Sequence, residues 1–263
     1  MHDLARGTIS RLIAEGRNAR AIWTPDGARI TFGSSTGGSE NLFWKPADGS
    51  GPAERLATSA NLQIAASWSP DGRELVFVEQ SPKTTNDIWV LPRTGDGRPH
   101  PIVQTQFAVG YPDFSPDGRW LAYASDESGR SEVYVQPYPG RGPRQQVSNE
   151  GGTSPAWSRD GRELFYTTTQ TVGGQAAPTS MMSVAIALRP TFTAGAPRVL
   201  FRGTYGATAG IRPYDVSPDG RRFLMVQQKE RPAVSASEMI LVQNWLEELK
   251  ARLPSTDTEA QLR

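Results

Sequence analysis

Five copies of one short motif constrain this chain more tightly than any bulk property. WTPDGARI (23–30), WSPDGREL (68–75), FSPDGRWL (114–121), WSRDGREL (157–164) and VSPDGRRF (216–223) each place a Ser or Thr two residues before an Asp-Gly pair. Their aspartates, Asp26, Asp71, Asp117, Asp160 and Asp219, are spaced by 45, 46, 43 and 59 residues. Self-similarity at a period of about 20–50 residues marks a stacked or radial repeat architecture.

Each copy reads as strand, turn, strand. Pro suits the second position of a type I turn, Asp the third, and Gly the left-handed position that closes it. The residues that follow alternate as a strand does, as in ELVFV (74–78), WLAYA (120–124) and ELFYT (163–167). A third strand starts at Asn41, Asp87 and Glu132, then at 182–186 and 239–242, and a short fourth lies around Leu56, Ile102, Val147 and Val199. Four antiparallel strands in about 40–45 residues is the period of a propeller blade. The expected fold is therefore an all-β propeller of four-stranded blades over residues 1–245.

The last repeat lacks a fourth strand, because residues 243–253 read as a helix ended by Pro254. The N-terminus has a spare strand at 8–13. We expect it to complete the last blade, closing a five-bladed ring and removing an exposed sheet edge; six blades is the alternative, since residues 3–7 resemble the end of a further blade. The helix and tail, 246–263, stand apart. The longest spacing carries additional residues at 168–180 and 203–212, loops of the kind that can hold function.

Partner classes follow from charge and residue inventory. With 28 basic and 27 acidic residues and no run of like charge, the chain points neither to nucleic acid nor to an anionic membrane. There is no cysteine, hence no disulfide, thiolate metal site or cysteine nucleophile. No stretch has the apolar length of a membrane span, and the first residues lack a signal-peptide core. The chain reads as soluble, with neither compartment excluded.

The unit W-S-P-D-G-[RK]-x-[LI]-x-[FY], followed by D-[IL]-[WY]-V, resembles the WD40-like repeats of TolB-type propellers over nearly the whole chain. The ending ILVQNWLEELK (240–250) is similar to the close of C-terminal propellers in bacterial membrane-anchored serine/threonine kinases. The resemblance implies a sensing, scaffolding or docking part, and a periplasmic or other extracytoplasmic location. The kinase's own motifs, its Gly-rich loop, V-A-I-K lysine and H-R-D segment, have no match here.

Enzyme readings fit the sequence less well. GSSTG (33–37) satisfies G-x-S-x-G with Ser35 as nucleophile, yet it joins two strands where a nucleophile elbow needs a strand and a helix. Only His2 and His100 could serve as a base, one terminal and one in a turn. The acidic loop 125–130 lacks the alternating spacing of a calcium loop, and S-P-D-G differs by one residue from the S-x-D-x-G box of sialidases. Trp23, Trp68, Phe114 and Trp157, repeated at one position, read as packing between blades.

Function is expected opposite the S-P-D-G turns, where second-to-third-strand loops and blade entries differ from copy to copy. The candidate binding residues are Gln63, Tyr111, Arg130, Arg212 and Tyr214. The resulting expectation is a monomeric, non-catalytic module for a protein or peptide partner, with no cofactor and no metal. The alternative is a hydrolase, a glycosidase or a peptidase-associated propeller, working in the central funnel.

Overall fold

The repeated turn forms because its own side chains complete it. In all five copies the glycine lies at φ 68–70°, and its amide donates to the carbonyl of the Ser or Thr three residues back at 2.8–2.9 Å. Asp71 Oδ1 accepts from the Ser69 hydroxyl at 2.6 Å and the Arg73 amide at 3.1 Å, while Ser69 Oγ accepts from the Glu74 amide at 2.9 Å. Thr24 with Asp26, Ser115 with Asp117, Ser158 with Asp160 and Ser217 with Asp219 repeat the arrangement. The aspartate is thus an acceptor that organises the turn, and the hydroxyl two residues before it is as necessary.

These contacts carry a prediction. The hydroxyls of Thr24, Ser69, Ser158 and Ser217, then the backbone amides of Ala28, Arg73, Arg162 and Arg221, hold Asp26, Asp71, Asp160 and Asp219 below the usual carboxylate range. A carboxyl depressed in the folded state contributes stability above its unfolded value, about 3.9, and that contribution disappears as pH falls through the lower folded value. We expect the melting temperature to drop below about pH 4, and the pair Asp71→Asn, Asp160→Asn to flatten that drop in circular-dichroism melts at pH 6 and pH 3. An unchanged acid slope would sink this account of the turn.

The computed structural model describes residues 2–3, 7–140, 142–169, 171–172, 175–176, 178–189, 191–205 and 212–226. Every regular element among them is a strand. Each of the first three repeats forms one antiparallel four-stranded blade, and the fourth forms a five-stranded sheet. The inner strands are Asn18–Trp23, Gln63–Trp68, Val109–Phe114 and Thr153–Trp157. The second strands are Arg29–Ser34, Glu74–Ser81, Trp120–Ser125 and Glu163–Thr168, and the third are Asn41–Pro46, Thr85–Pro92, Glu132–Pro137 and Thr179–Ala187. Glu54–Arg55, His100–Val103, Gln145–Gln146 and Arg198–Gly203 form the outer edges. The fourth blade also pairs Thr193–Ala194 with the end of its third strand, and its second-to-third-strand loop contains the ladder Thr171–Val172 with Gln175–Ala176. A fifth repeat contributes Tyr214–Val216 paired with Phe223–Met225.

Consecutive blades bury one apolar cluster between them. Trp68, Leu75 and Phe77 meet Leu42 and Trp44 of the blade before, and Trp157, Leu164 and Tyr166 meet Ala122, Val133 and Val135. Trp68, Phe114 and Trp157, ahead of their turns, therefore belong to the core, as the repeat implies. The Trp68 indole donates to Thr31 Oγ1 at 3.1 Å, and that of Trp157 to the Asp113 carbonyl at 3.1 Å. Trp23 departs from the pattern: it is 54% exposed, against 6% for Trp68 and 7% for Trp157.

The polar residue near the start of the third strand ties down the link to the next blade in the first three repeats. Buried Asn41 bonds the backbone of Ser59 and Asn61, buried Asp87 accepts from Gln104 at 3.1 Å, and buried Glu132 accepts from the Gly151 amide at 2.9 Å and from the Ser148 hydroxyl. The acid of the D-[IL]-[WY]-V unit is thus a brace.

At the N-terminus, Thr8–Ile9 pairs with His2–Asp3, and Leu12 and Ile13 pack on Ile30, Phe32, Phe43 and Ala47 of the first blade. The expected third strand at 239–242 that Thr8–Ile13 would clasp, and the expected helix at 243–253, lie outside the described residues.

Candidate functional site

Each of the first four inner strands carries a bulge, between Ala19 and Ile22, Ala65 and Ser67, Gly110 and Asp113, and Thr153 and Ala156. In three of them one bulge residue is left-handed: Arg20 at φ 57°, Tyr111 at 54° and Ser154 at 56°. Such non-glycine positions cost about 1–3 kcal/mol each and persist only where neighbouring structure holds them. A bulge re-aims side chains, and here the inner strands surround a cavity of about 520 Å³ lined by residues of all five repeats.

Three of the five candidate binding residues, Tyr111, Arg212 and Tyr214, line this cavity. Gln63 stands at the same end of its inner strand, but its side chain is buried and donates to Glu79 Oε2 at 2.9 Å; Ser59 and Asn61 also donate to Glu79. It holds an entry loop and is no wall residue. Arg130 lies away from the cavity, where its Nε donates to Glu132 Oε1 at 2.7 Å and its Nη2 to the Asn149 carbonyl. Its guanidinium completes the Glu132 brace.

The residue that organises the cavity is Asp113, which the sequence reading did not single out. Its Oδ2 accepts from the Trp157 amide at 3.0 Å and faces Arg212 Nη1 at 3.5 Å, so it joins the third blade to the fourth and fifth repeats. Arg212 also donates to the Pro155 carbonyl at 3.4 Å and lies 3.9 Å from Asp215. The Tyr214 hydroxyl donates to the Ser154 carbonyl at 2.7 Å. A signal existed: the position just before the turn aromatic is Ile22, Ser67, Asp113, Ala156 and Asp215 in the five repeats. Two acids stand where the register predicts apolar or small residues.

Burial pushes the Asp113 carboxyl above its usual range, against the pull of Arg212 and the Trp157 amide. Burial also pulls on the Arg212 guanidinium, but Asp113, Tyr214 and Asp215 more than restore it, so its net shift is upward and it stays cationic. Burial raises Tyr214 as well, keeping it a neutral donor. Among the described residues no group of three or more His, Asp or Glu could hold a metal ion. Ser35 sits in the turn after Arg29–Ser34, where its amide donates to the Arg17 carbonyl at 3.1 Å and a strand, not a helix, follows.

Radial four-stranded blades around a polar-floored cavity define a β-propeller. No family model matches the chain. Tricorn protease homolog 1 of Streptomyces coelicolor is 31% identical over 102 residues, which is 38% of this chain and 9% of that protein. TolB from Acinetobacter baumannii superposes with a TM-score of 0.68 at 16% identity, over 83% of this chain and 51% of that one. A prolyl endopeptidase structure superposes with a TM-score of 0.54 at 15% identity, over 85% of this chain and 37% of that one. The fold is a TolB-like propeller, one that also occurs in peptidases. The chain spans about half the length of the TolB structure and less than a tenth of the tricorn protease homologue.

Proposed function

We propose that this chain is a non-catalytic propeller that binds a protein or peptide partner at its central cavity, as the sensing or docking part of a larger system. The observation that carries this reading is the contrast between the repeated turns and the wall of the central cavity. The S-P-D-G turns repeat the same hydrogen bonds five times, whereas the cavity wall, which reaches Pro25 of the first turn, presents Arg20, Tyr111, Asp113, Arg212 and Tyr214, side chains that do not repeat from blade to blade. Its charged floor is an ion pair with its hydrogen bonds made, an arrangement suited to recognition and poorly suited to proton transfer, which needs a group free to exchange its proton with substrate. The five inner strands support a five-bladed count. The TolB-type repeat supports a periplasmic location, and among the described residues no helix is long and apolar enough to cross a membrane.

Affinity capture from cells that make the chain tests this. A specific protein should be retained by the wild type and by Arg73→Glu, on the S-P-D-G end, and lost with Tyr111→Asp. Because a sequence relative is named as a protease, the same preparation should be incubated with a mixed peptide substrate pool. Cleavage abolished by Asp113→Asn would replace the binding reading with a hydrolase.

A further inference from the structure

We infer that the cavity recognises a basic side chain, lysine or arginine, carried on an apolar segment of the partner polypeptide. The inference rests on the reading of this cavity as a binding site and adds the chemistry of what enters it.

Two features of the cavity lining point there. The first is exposed apolar surface: Trp23, Leu224 and Val226 line the cavity and are 54%, 77% and 64% exposed. Large apolar side chains gathered at one concave site gain when an apolar ligand covers them. The second is charge. Arg20 is matched by Glu40, and Arg212 is matched by Asp113, which the Trp157 amide also holds. That leaves Asp215: it is 3.9 Å from the same guanidinium, its side chain is 75% exposed, and the acceptor contact it makes is with the amide of the adjoining Val216 at 2.9 Å. Among the described residues, one guanidinium between two carboxylates leaves a negative charge in excess in a cavity that an exposed indole also lines.

An anionic ligand would have to compete with Asp113 for Arg212 and would meet Asp215. A cationic side chain pairs with Asp215 and can lie over the Trp23 ring, the aromatic with the strongest attraction for cations. Its aliphatic stem, with apolar neighbours along the segment, would cover Leu224 and Val226. A divalent metal ion is a poor alternative, because no third acid converges among the described residues.

The test uses the full chain and three fluorescein-labelled nonapeptides, Gly-Ser-Leu-Val-X-Val-Leu-Ser-Gly, with X as Lys, norleucine or Glu, titrated by anisotropy. An exposed ion pair and a cation–π contact together predict a preference of about tenfold for Lys over Glu. Asp215→Asn should shrink that preference to about twofold. Trp23→Leu should reduce it in part, and Asp48→Asn, on a turn at the S-P-D-G end, should leave it whole. Equal binding of the three peptides, or tightest binding of the Glu peptide, would overturn the basic-ligand assignment while the binding site stood. Binding of none would remove the cavity-binding reading, and this inference with it.

Discussion

Asp113→Ala should lower the melting temperature by about 10 °C. The change leaves the Arg212 guanidinium without its carboxylate and the Trp157 amide without its acceptor. Removing one member of a buried pair costs about 3–5 kcal/mol; Arg212 keeps about a third of its side-chain surface exposed, so about 3 kcal/mol is the better expectation. For a domain of this size 1 kcal/mol moves the midpoint by about 2–4 °C. The double variant Asp113→Ala, Arg212→Ala should recover part of the loss, because the uncompensated cation is gone. Asp113→Asn should cost less than Asp113→Ala. A carboxyl raised in the folded state contributes stability below its unfolded value and loses it as pH rises through the folded one, a decline that Asn lacks. Differential scanning calorimetry at pH 5 and pH 7.5 on the four proteins decides this. A midpoint for Asp113→Ala within 2 °C of wild type, on a scale where 1 kcal/mol is about 2–4 °C, would show that Asp113 does not join these repeats.

Gly72→Val should produce the second large loss, about 2 kcal/mol or about 4–8 °C. The cause is conformational and not crowding. At φ 70° a Cβ on Gly72 would find only Pro25 Cδ, at 3.9 Å, which is ordinary contact. A β-branched residue resists the left-handed region, whereas Asn enters it more readily, so Gly72→Asn should retain most of the stability. Gly118→Val should behave alike, with φ 68° and Pro70 Cδ at 3.5 Å. In both cases the proline belongs to the preceding blade's turn, so successive turns rest on one another. Equal melting temperatures for Gly72→Val and Gly72→Asn would contradict the turn assignment.

What could be read from the residues divides along this same line. The turn, the strand alternation and the buried aromatic ahead of the second, third and fourth turns depend on neighbours in sequence and on a repeated environment, so the repeated copies disclose them. Arg130 shows the limit: nothing nearby in sequence says that Glu132, two residues on, is buried and pairs with its guanidinium, while 58% of the Arg130 side chain stays exposed. Asp113 and Arg212 are 99 residues apart in the chain and meet because inner strands converge at the centre, a relation that no local pattern carries. Tyr111, Arg212 and Tyr214 line the cavity as blade entries facing a funnel would, an argument from topology. Gln63 stands at a blade entry too, but Glu79 lies opposite it in register on the paired strand and accepts from its amide.

The most direct test of the central claim is site-specific photo-crosslinking in cells that make the protein. Benzoylphenylalanine would replace Tyr111, in the cavity wall, or Asp48, in a turn at the S-P-D-G end. The cavity-binding account predicts a discrete protein adduct from position 111, reduced by Asp215→Asn, and none from position 48. An adduct from position 48 with none from position 111 would contradict it.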